Sequence, residues 1–134
     1  MVFESRTFRY VNIHGRFYPM IPVIVKGKHI TRLYALVDSG AVVSLFHTSI
    51  AEDASINLSD AHKEYLAGIG GYVQAHIKDK VTIEIEELEE LSIPVAFTEY
   101  ISSDMAILGR QGFFEKFEVI FREWKKELEI KVVN

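Results

Sequence analysis

The chain has 134 residues, of which 49% are hydrophobic and 25% are charged, and its formal net charge is -4 at pH 7. This length and composition are typical of one soluble globular domain, so we expect a single domain over residues 1–134. The acidic balance and the lack of a basic stripe interleaved with aromatic residues argue against nucleic-acid binding. Because the chain has no cysteine, disulfides, thiolate catalysis and cysteine-type zinc sites are excluded.

No apolar run approaches the ~20 residues that are needed to cross a bilayer, and residues 1–19 lack the apolar core of a signal peptide. We therefore expect a cytoplasmic protein without a membrane partner. The five histidines show no metal-ligand spacing on a common element, so we expect neither a metal site nor another cofactor. They are His14, His29, His47, His62 and His76.

The first part of the chain predicts short strands. Residues 8–13 partly alternate between apolar and polar side chains, which is compatible with a short strand. Residues 20–25 and 29–37 are rich in apolar side chains and flank a turn, so they predict a β-hairpin whose second strand ends at Asp38. Residues 41–46 predict a second buried segment, and either Thr48 or Ser49 is expected to cap a short helix after it.

Three glycines, Gly68, Gly70 and Gly71, precede a long stretch in which apolar side chains recur at every second position up to residue 85, with a break at Asp79. This period predicts a half-buried strand, and the glycines predict the tip of a hairpin. A phosphate-binding loop is disfavoured, because neither Lys-Ser nor Lys-Thr follows and the next element is a strand.

The last third predicts further strands and a short helix, which makes the whole chain mostly β with one or two short helices. Pro94 indicates that its strand lies at a sheet edge or turns its N–H side outward. A short buried strand is expected to stop at Gly109. The predicted strands are 91–97, 105–108, 118–121 and 127–133, and the predicted helix is 110–117.

The sequence Leu-Val-Asp-Ser-Gly-Ala at residues 36–41 is an apolar run that ends in a carboxylate, a hydroxyl and a glycine. Asp-Ser-Gly alone is an ordinary turn sequence. It is followed in order by Gly-Ile-Gly-Gly at residues 68–71 and by Ile-Leu-Gly-Arg at residues 107–110. As an ordered set, the three motifs resemble the retroviral-type (retropepsin-like) aspartic proteases over roughly residues 20–132.

The resemblance implies a closed, β-barrel-like domain that forms a homodimer and hydrolyses peptide bonds in extended polypeptides. It implies that Asp38 is catalytic and that Ser39, Gly40 and Ala41 support its loop. It further implies that Gly68, Ile69, Gly70 and Gly71 form a flap over the substrate and that Ile107 helps to line an apolar substrate pocket. The resemblance also gives Gly109 and Arg110 structural roles, in the segment that crosses behind the catalytic loop.

The residue types fit this chemistry. Two carboxylates that share one proton suffice to activate water and to protonate a peptide carbonyl. The chain offers one Asp-Ser-Gly, so the second carboxylate is expected from the Asp38 of a second copy. The alternative is a catalytically silent module of the same fold that dimerises or binds peptides. A third interpretation, a β-barrel that binds a small ligand, leaves the three glycine motifs unexplained.

Two positions depart from the family pattern. Relatives often carry an acidic residue soon after the catalytic loop, which pairs with the later arginine, but Val42 and Val43 stand there in this chain. Arg110 therefore needs another partner. Gln111 stands where many relatives have Asp or Asn. Viral members also use both termini in a sheet between subunits, a question that the sequence leaves open here.

Overall fold

In the computed structural model, which describes residues 4–68 and 70–133, most of the chain is β-strand. One regular helix, α1 (Thr48–Asp53), and short helical turns at Arg110–Phe114 and Glu123–Lys125 interrupt the strands. No helix of the described part is long and apolar enough to cross a membrane. The strands are β1 (Ser5–Arg9), β2 (Val11–Ile13), β3 (Arg16–Tyr18), β4 (Met20–Lys26), β5 (Ile30–Val37), β6 (Ser44–His47), β7 (His62–Gly68), β8 (Gly71–Ile85), β9 (Glu90–Thr98), β10 (Ala106–Leu108), β11 (Phe117–Arg122) and β12 (Glu127–Val132).

The largest sheet contains seven strands in the order β4-β5-β10-β6-β9-β8-β7. The predicted hairpin of β4 and β5 is confirmed, with Met20 opposite Leu36 and Lys26 opposite Ile30. Because β4 also pairs with β8, pairings join six of the strands in a ring, and β7 extends from β8. The short strand β10 runs parallel to β5 and antiparallel to β6.

The main core takes side chains from the strands of this ring, from α1 and from the strands at both ends of the chain. On β8 the predicted alternation is confirmed, since Ile83 and Ile85 are fully buried while Thr82 and Glu84, which alternate with them, are only half-buried. The break at Asp79 coincides with a register shift between β8 and β9. Phe46 and Phe97, both fully buried, meet edge to face with ring centroids 5.9 Å apart, an arrangement that aromatic pairs favour.

Of the two alternatives that Pro94 indicated, an edge strand is wrong. Its strand β9 pairs with β6 on one side and with β8 on the other. The ladder with β6 begins only at Val95, and the irregularity in β8 falls opposite Pro94. The interior proline is tolerated because neither neighbouring ladder needs an N–H from it.

Three further expectations are corrected, two of them on helices and one on the segment before β6. His47, and not Thr48 or Ser49, is the N-cap of α1, where its side chain accepts a hydrogen bond from the Ser49 N–H. The predicted helix 110–117 is interrupted, because Gly112 adopts φ +84°, and its last residue already belongs to β11. The predicted buried segment 41–46 begins with a loop in which Val42 is 55% exposed, and only Ser44–His47 is a strand.

The N-terminal and C-terminal strands form a separate sheet in the order β1-β12-β11. Inward-facing side chains of this sheet, including Phe8, Leu128 and Ile130, are buried in the main core. On β11 Arg122 contacts two carboxylates of β12, at 3.1 Å from Glu127 and 2.7 Å from Glu129. The sheet of the chain ends is therefore both packed on the body and held together by ion pairs.

This ion-pair cluster predicts an acid-sensitive terminal sheet. The hydrogen bond from Arg122 lowers the pKa of Glu129 below its usual value, although burial opposes the shift. A carboxyl with a depressed folded pKa adds stability above its unfolded pKa and loses it as pH falls through the folded pKa. We expect Glu129→Gln to lower the unfolding free energy at pH 7 and to lose most of this effect near pH 3. Urea unfolding at both pH values measures it.

The control is Glu118→Gln, a change at an exposed residue on the neighbouring strand β11. It is expected to leave the unfolding free energy nearly unchanged at both pH values, as exposed charges usually do. An effect of Glu129→Gln that is equally large at pH 3 and at pH 7 would contradict the ion-pair explanation.

Candidate active site

The loop that begins at Asp38 is held on both of its sides by backbone hydrogen bonds. Strand β5 ends at Val37, and the Asp38 N–H donates to the Leu108 carbonyl of β10 at 3.0 Å. Within the loop, the Ala41 N–H donates to the Asp38 carbonyl at 3.2 Å. The Asp38 backbone is thus fixed directly after β5 and beside β10.

The Asp38 side chain is half-buried, and its Oδ1 accepts a hydrogen bond from the Gly40 N–H at 2.9 Å. A Cβ atom at Gly40 would lie 3.2 Å from the same oxygen. Glycine therefore lets the backbone approach the carboxylate more closely than other residues allow. Among the described residues no salt bridge reaches Asp38, so a peptide N–H, and not a cation, orients this carboxylate.

Gly109 passes directly behind the Asp38 loop. A Cβ atom at this position would lie 2.6 Å from the Val43 carbonyl oxygen and 2.8 Å from the Ala41 carbonyl oxygen. The next N–H group, of Arg110, donates to the Ala41 carbonyl at 2.8 Å. The two segments are therefore in backbone contact, which stiffens the loop from behind.

Arg110 contributes to this contact through its backbone alone. Its side chain is exposed, and the ion pairs found among the described residues do not include it. The valines after the loop thus leave Arg110 without the acidic neighbour that relatives provide. The backbone of Gln111 continues the contact, since its N–H donates to the Val42 carbonyl at 2.8 Å.

Ser44 is a supporting residue that the sequence reasoning missed. It is fully buried at the start of β6, and its Oγ accepts a hydrogen bond from the Gly109 N–H at 3.0 Å. Its signal in the sequence is a single hydroxyl inside the apolar stretch of residues 41–46. Such a buried hydroxyl generally has a hydrogen-bond partner, but the sequence does not identify it.

We expect Ser44→Ala to destabilise the protein by about 1–3 kcal/mol, because the buried Gly109 N–H loses its acceptor. Chemical denaturation measures this loss. The matched control is Ser92→Ala, which removes an exposed hydroxyl from strand β9 and is expected to change stability by less than about 0.5 kcal/mol. Equal effects of the two variants would show that the Ser44 hydrogen bond contributes no stability.

An apolar cleft of 310 Å³ borders the Asp38 loop. One wall comes from the loop and the strands beside it, and the other from β7. Ile107, predicted as a substrate-binding residue, is part of the first wall. The lining residues are Gly40, Ala41, Val42, Val43, Leu45, Tyr65, Leu66, Ala67 and Ile107.

A larger groove of 490 Å³ lies beside α1, but it contains no residue of the Asp38 loop. We assign the candidate site to the smaller cleft, because reactive groups must lie within reach of a bound substrate.

The glycine-rich hairpin is where the sequence predicted it. Gly68 of β7 pairs with Gly71 of β8, so Gly70 lies in the turn between them. Gly71 has φ +117°, a conformation that favours glycine. Ile69, predicted to lie at the tip, is outside the described residues. The cleft is lined by the strand before the tip, at residues 65–67, which the glycine pattern did not indicate.

Within residues 4–68 and 70–133, no group of three His, Asp or Glu side chains is arranged to hold a metal ion. The candidate site therefore consists of one oriented carboxylate, a stiff loop and an apolar cleft. Such a site suits a carboxylate that acts on a ligand held mainly by apolar contacts.

A β-domain with an oriented aspartate directly after a strand is the arrangement found in aspartic proteases. Comparison with protein-family models matches residues 16–120 to the family described as retroviral aspartyl protease. The match covers most of the chain, and the chain belongs to this family. A search of the curated proteins found no significant match.

Proposed function

We propose that the protein is an aspartic endopeptidase that hydrolyses peptide bonds in extended polypeptides, with Asp38 as its catalytic residue. The observation that carries this proposal is the Asp38 carboxylate itself, which the Gly40 N–H orients in the loop that borders an apolar cleft. Membership in the retroviral aspartyl protease family supports the same activity.

The proposed chemistry requires two carboxylates. When two of them lie close together, they do not both ionise easily, so the pair retains one proton. Aspartic proteases are the standard example of this behaviour, and the apparent pKa values belong to the pair and not to one residue. The ionised carboxylate accepts a proton from the attacking water, while the protonated one donates to the substrate carbonyl.

In this proposal the second carboxylate is the Asp38 of another copy, which makes the active form a symmetric homodimer. The sequence contains one Asp-Ser-Gly, and among the described residues no carboxylate forms a hydrogen bond with Asp38. Ser39, which is exposed beside Asp38, lies close to the two-fold axis. The ring of six strands serves as the closed, barrel-like body of a single domain over residues 1–134.

The hairpin of β7 and β8 acts as the flap in this proposal. Its tip, at Gly68, Ile69, Gly70 and Gly71, closes over an extended peptide and excludes water. The peptide is held largely through its main chain, as an added strand. The apolar cleft beside Ala41 and Ile107 receives an apolar side chain near the scissile bond. A cytoplasmic location is part of the same proposal.

A peptide library assayed between pH 3 and pH 7 with the parent chain and Asp38→Asn tests the proposal. We expect hydrolysis by the parent, and a loss of at least about 10²–10⁴-fold in the variant, the usual contribution of general acid–base catalysis. Activity retained by Asp38→Asn would overturn the mechanism. A dimeric parent without hydrolysis of any library peptide would instead favour the silent module.

A further inference from the structure

Three polar side chains meet at the N-terminal end of α1. Strand β6 ends at His47, which caps the helix, and Ser49 lies in the first turn of the helix. The Ser49 hydroxyl donates a hydrogen bond to the Asp104 Oδ1 at 2.9 Å, and the Asp104 N–H donates to the Ser49 Oγ at 3.2 Å. Because Asp104 lies in the loop before β10, this hydroxyl joins the helix to the strand that holds the Asp38 backbone.

The ring nitrogen Nδ1 of His47 contacts two groups of the same residue. The Ser49 N–H donates to Nδ1 at 3.0 Å, and this hydrogen bond is the cap of α1. The Ser49 Oγ lies 2.8 Å from the same nitrogen. A ring nitrogen of histidine holds either a lone pair, and then accepts, or a proton, and then donates.

The two contacts of Nδ1 cannot both be hydrogen bonds at the same time. The Ser49 hydroxyl has one hydrogen, and this hydrogen points to the Asp104 carboxylate, which when ionised only accepts. A hydrogen bond between Nδ1 and Oγ therefore requires a proton on Nδ1. A protonated Nδ1 has no lone pair for the Ser49 N–H. The protonation state of His47 thus selects one of two arrangements.

Acidification can supply this proton. Histidine is the side chain that ordinarily gains a proton between about pH 8 and about pH 5, and the His47 side chain is only half-buried. The elements packed against β6 are β9, β10, α1 and the turn Arg110–Phe114. Among the described residues, Asp104 is the only charged side chain with a hydrogen bond to this cluster. The other charged or titratable side chains on or beside these elements are Glu52, Asp53, His76, Glu90, Glu99 and Arg110.

The cluster is not arranged as the catalytic triad of a serine hydrolase. In such a triad the carboxylate orients the histidine, and the histidine takes the proton of the serine. Here the carboxylate accepts a hydrogen bond from the serine itself, and the histidine nitrogen caps the helix. The geometry therefore favours a conformational role over a nucleophilic one.

We propose that His47, Ser49 and Asp104 form a pH-sensitive switch between α1 and β10. In the neutral form, Nδ1 holds a lone pair and caps α1. When a proton from water binds to Nδ1, the ring releases the Ser49 N–H and donates to the Ser49 Oγ instead. A charge-assisted chain then runs from the imidazolium through the hydroxyl to the Asp104 carboxylate. This switch requires neither peptide hydrolysis nor a second copy, so it stands apart from the proposed function.

Both ends of the switch border a concave site. Helix α1 forms one wall of the 490 Å³ groove. The His47 N–H also donates to the Met105 carbonyl at 2.9 Å, directly before β10. In that strand Ile107 lines the apolar cleft, and the Leu108 carbonyl accepts the Asp38 N–H. Protonation of His47 therefore loosens the helix at the groove and ties the loop before β10 more firmly to it.

NMR spectra of the full chain labelled with ¹⁵N, recorded from about pH 8 to about pH 5.5, test this switch. The range stays above the usual titration of carboxylates. At pH 8 we expect the His47 Nδ1 to carry no proton. As His47 becomes protonated, the amide signals of Ser49 and Asp104 should shift with the same midpoint as the ring. The protection of the Ser49 N–H against hydrogen exchange should fall by about fivefold, as the loss of a helix cap predicts.

Two variants separate the two parts of the switch. Asparagine is a good N-cap that does not titrate, so His47→Asn should abolish both pH-dependent amide shifts. Ser49→Ala keeps the backbone N–H but removes the hydroxyl, so the amide at position 49 should still respond to pH and the Asp104 amide should not. The control is His14→Asn, a change at an exposed histidine in the turn between β2 and β3, which should leave both shifts as in the parent.

Three results would overturn the switch. They are a proton on Nδ1 already at pH 8, a Ser49 amide that stays constant while His47 titrates, and an Asp104 amide that still follows the histidine in Ser49→Ala. The first two are measured on the parent chain and do not depend on the folding of a variant. Circular dichroism verifies that each variant keeps the parental fold.

Discussion

Refolding equal amounts of the parent chain and Asp38→Asn together should leave about a quarter of the activity that the same total amount of parent chain shows. Random pairing of subunits makes about a quarter of the dimers fully parental. In the proposed mechanism the other dimers lack one of the two carboxylates, and an amide next to an aspartate cannot share its proton. Peptide hydrolysis, measured over a series of mixing ratios, should follow the square of the parental fraction.

The matched control is refolding with Asp53→Asn, which changes an exposed aspartate in the last position of α1. These mixtures should keep the full activity at every ratio. A linear decrease with Asp38→Asn, to about half at equal amounts, would mean that each copy acts alone. That result would contradict the shared pair of carboxylates even if Asp38 itself proved essential.

Local patterns were sufficient to predict the central features of the candidate site. The strand that leads to Asp38 and the glycine-rich hairpin are each encoded within a few consecutive residues, whereas the close approach at Gly109 was implied only by the resemblance to the family. The alternation of apolar and polar side chains indicates which face of a strand is buried, and this face was correctly predicted along β8. The break at Asp79 was visible as well, although its cause, a register shift against β9, was not.

Features that depend on distant neighbours were not predictable in this way. The sequence could not decide between an edge strand and an unpaired N–H side for Pro94, because a single sequence cannot show that an irregularity in β8 lies opposite it. The hydroxyl of Ser44 was visible, but its partner is 65 positions away. His47 was overlooked as a cap because histidine is not among the residues preferred there, and its nitrogen nevertheless accepts the Ser49 N–H.

The pairing of the chain ends was the open question with the greatest consequence. The β1–β12 ladder joins residues that are more than a hundred positions apart, and no local pattern reports such a contact. Once this ladder is known, β12 is paired on both of its sides within one protomer, whereas β1 and β11 form the two edges of this sheet.

Gly109→Ala should be among the most destabilising single changes in this protein. Gly109 has φ -107°, an extended conformation that alanine adopts readily, so the backbone angle itself is not strained. The added methyl group would instead meet the carbonyls of Val43 and Ala41 at 2.6 and 2.8 Å. These atoms belong to the backbone of the Asp38 loop and cannot turn aside as a flexible side chain would.

We expect a loss of about 2–4 kcal/mol of unfolding free energy, at the upper end of what overpacking costs. Gly70→Ala is the control, since a Cβ atom there has no neighbour within 4 Å, and its stability should change by less than about 1 kcal/mol. Any relief of the clash must push the Asp38 loop forward, into the cleft. Surviving Gly109→Ala protein should therefore show a lower kcat on the same peptides, whereas unchanged stability and kcat would refute the close contact behind the loop.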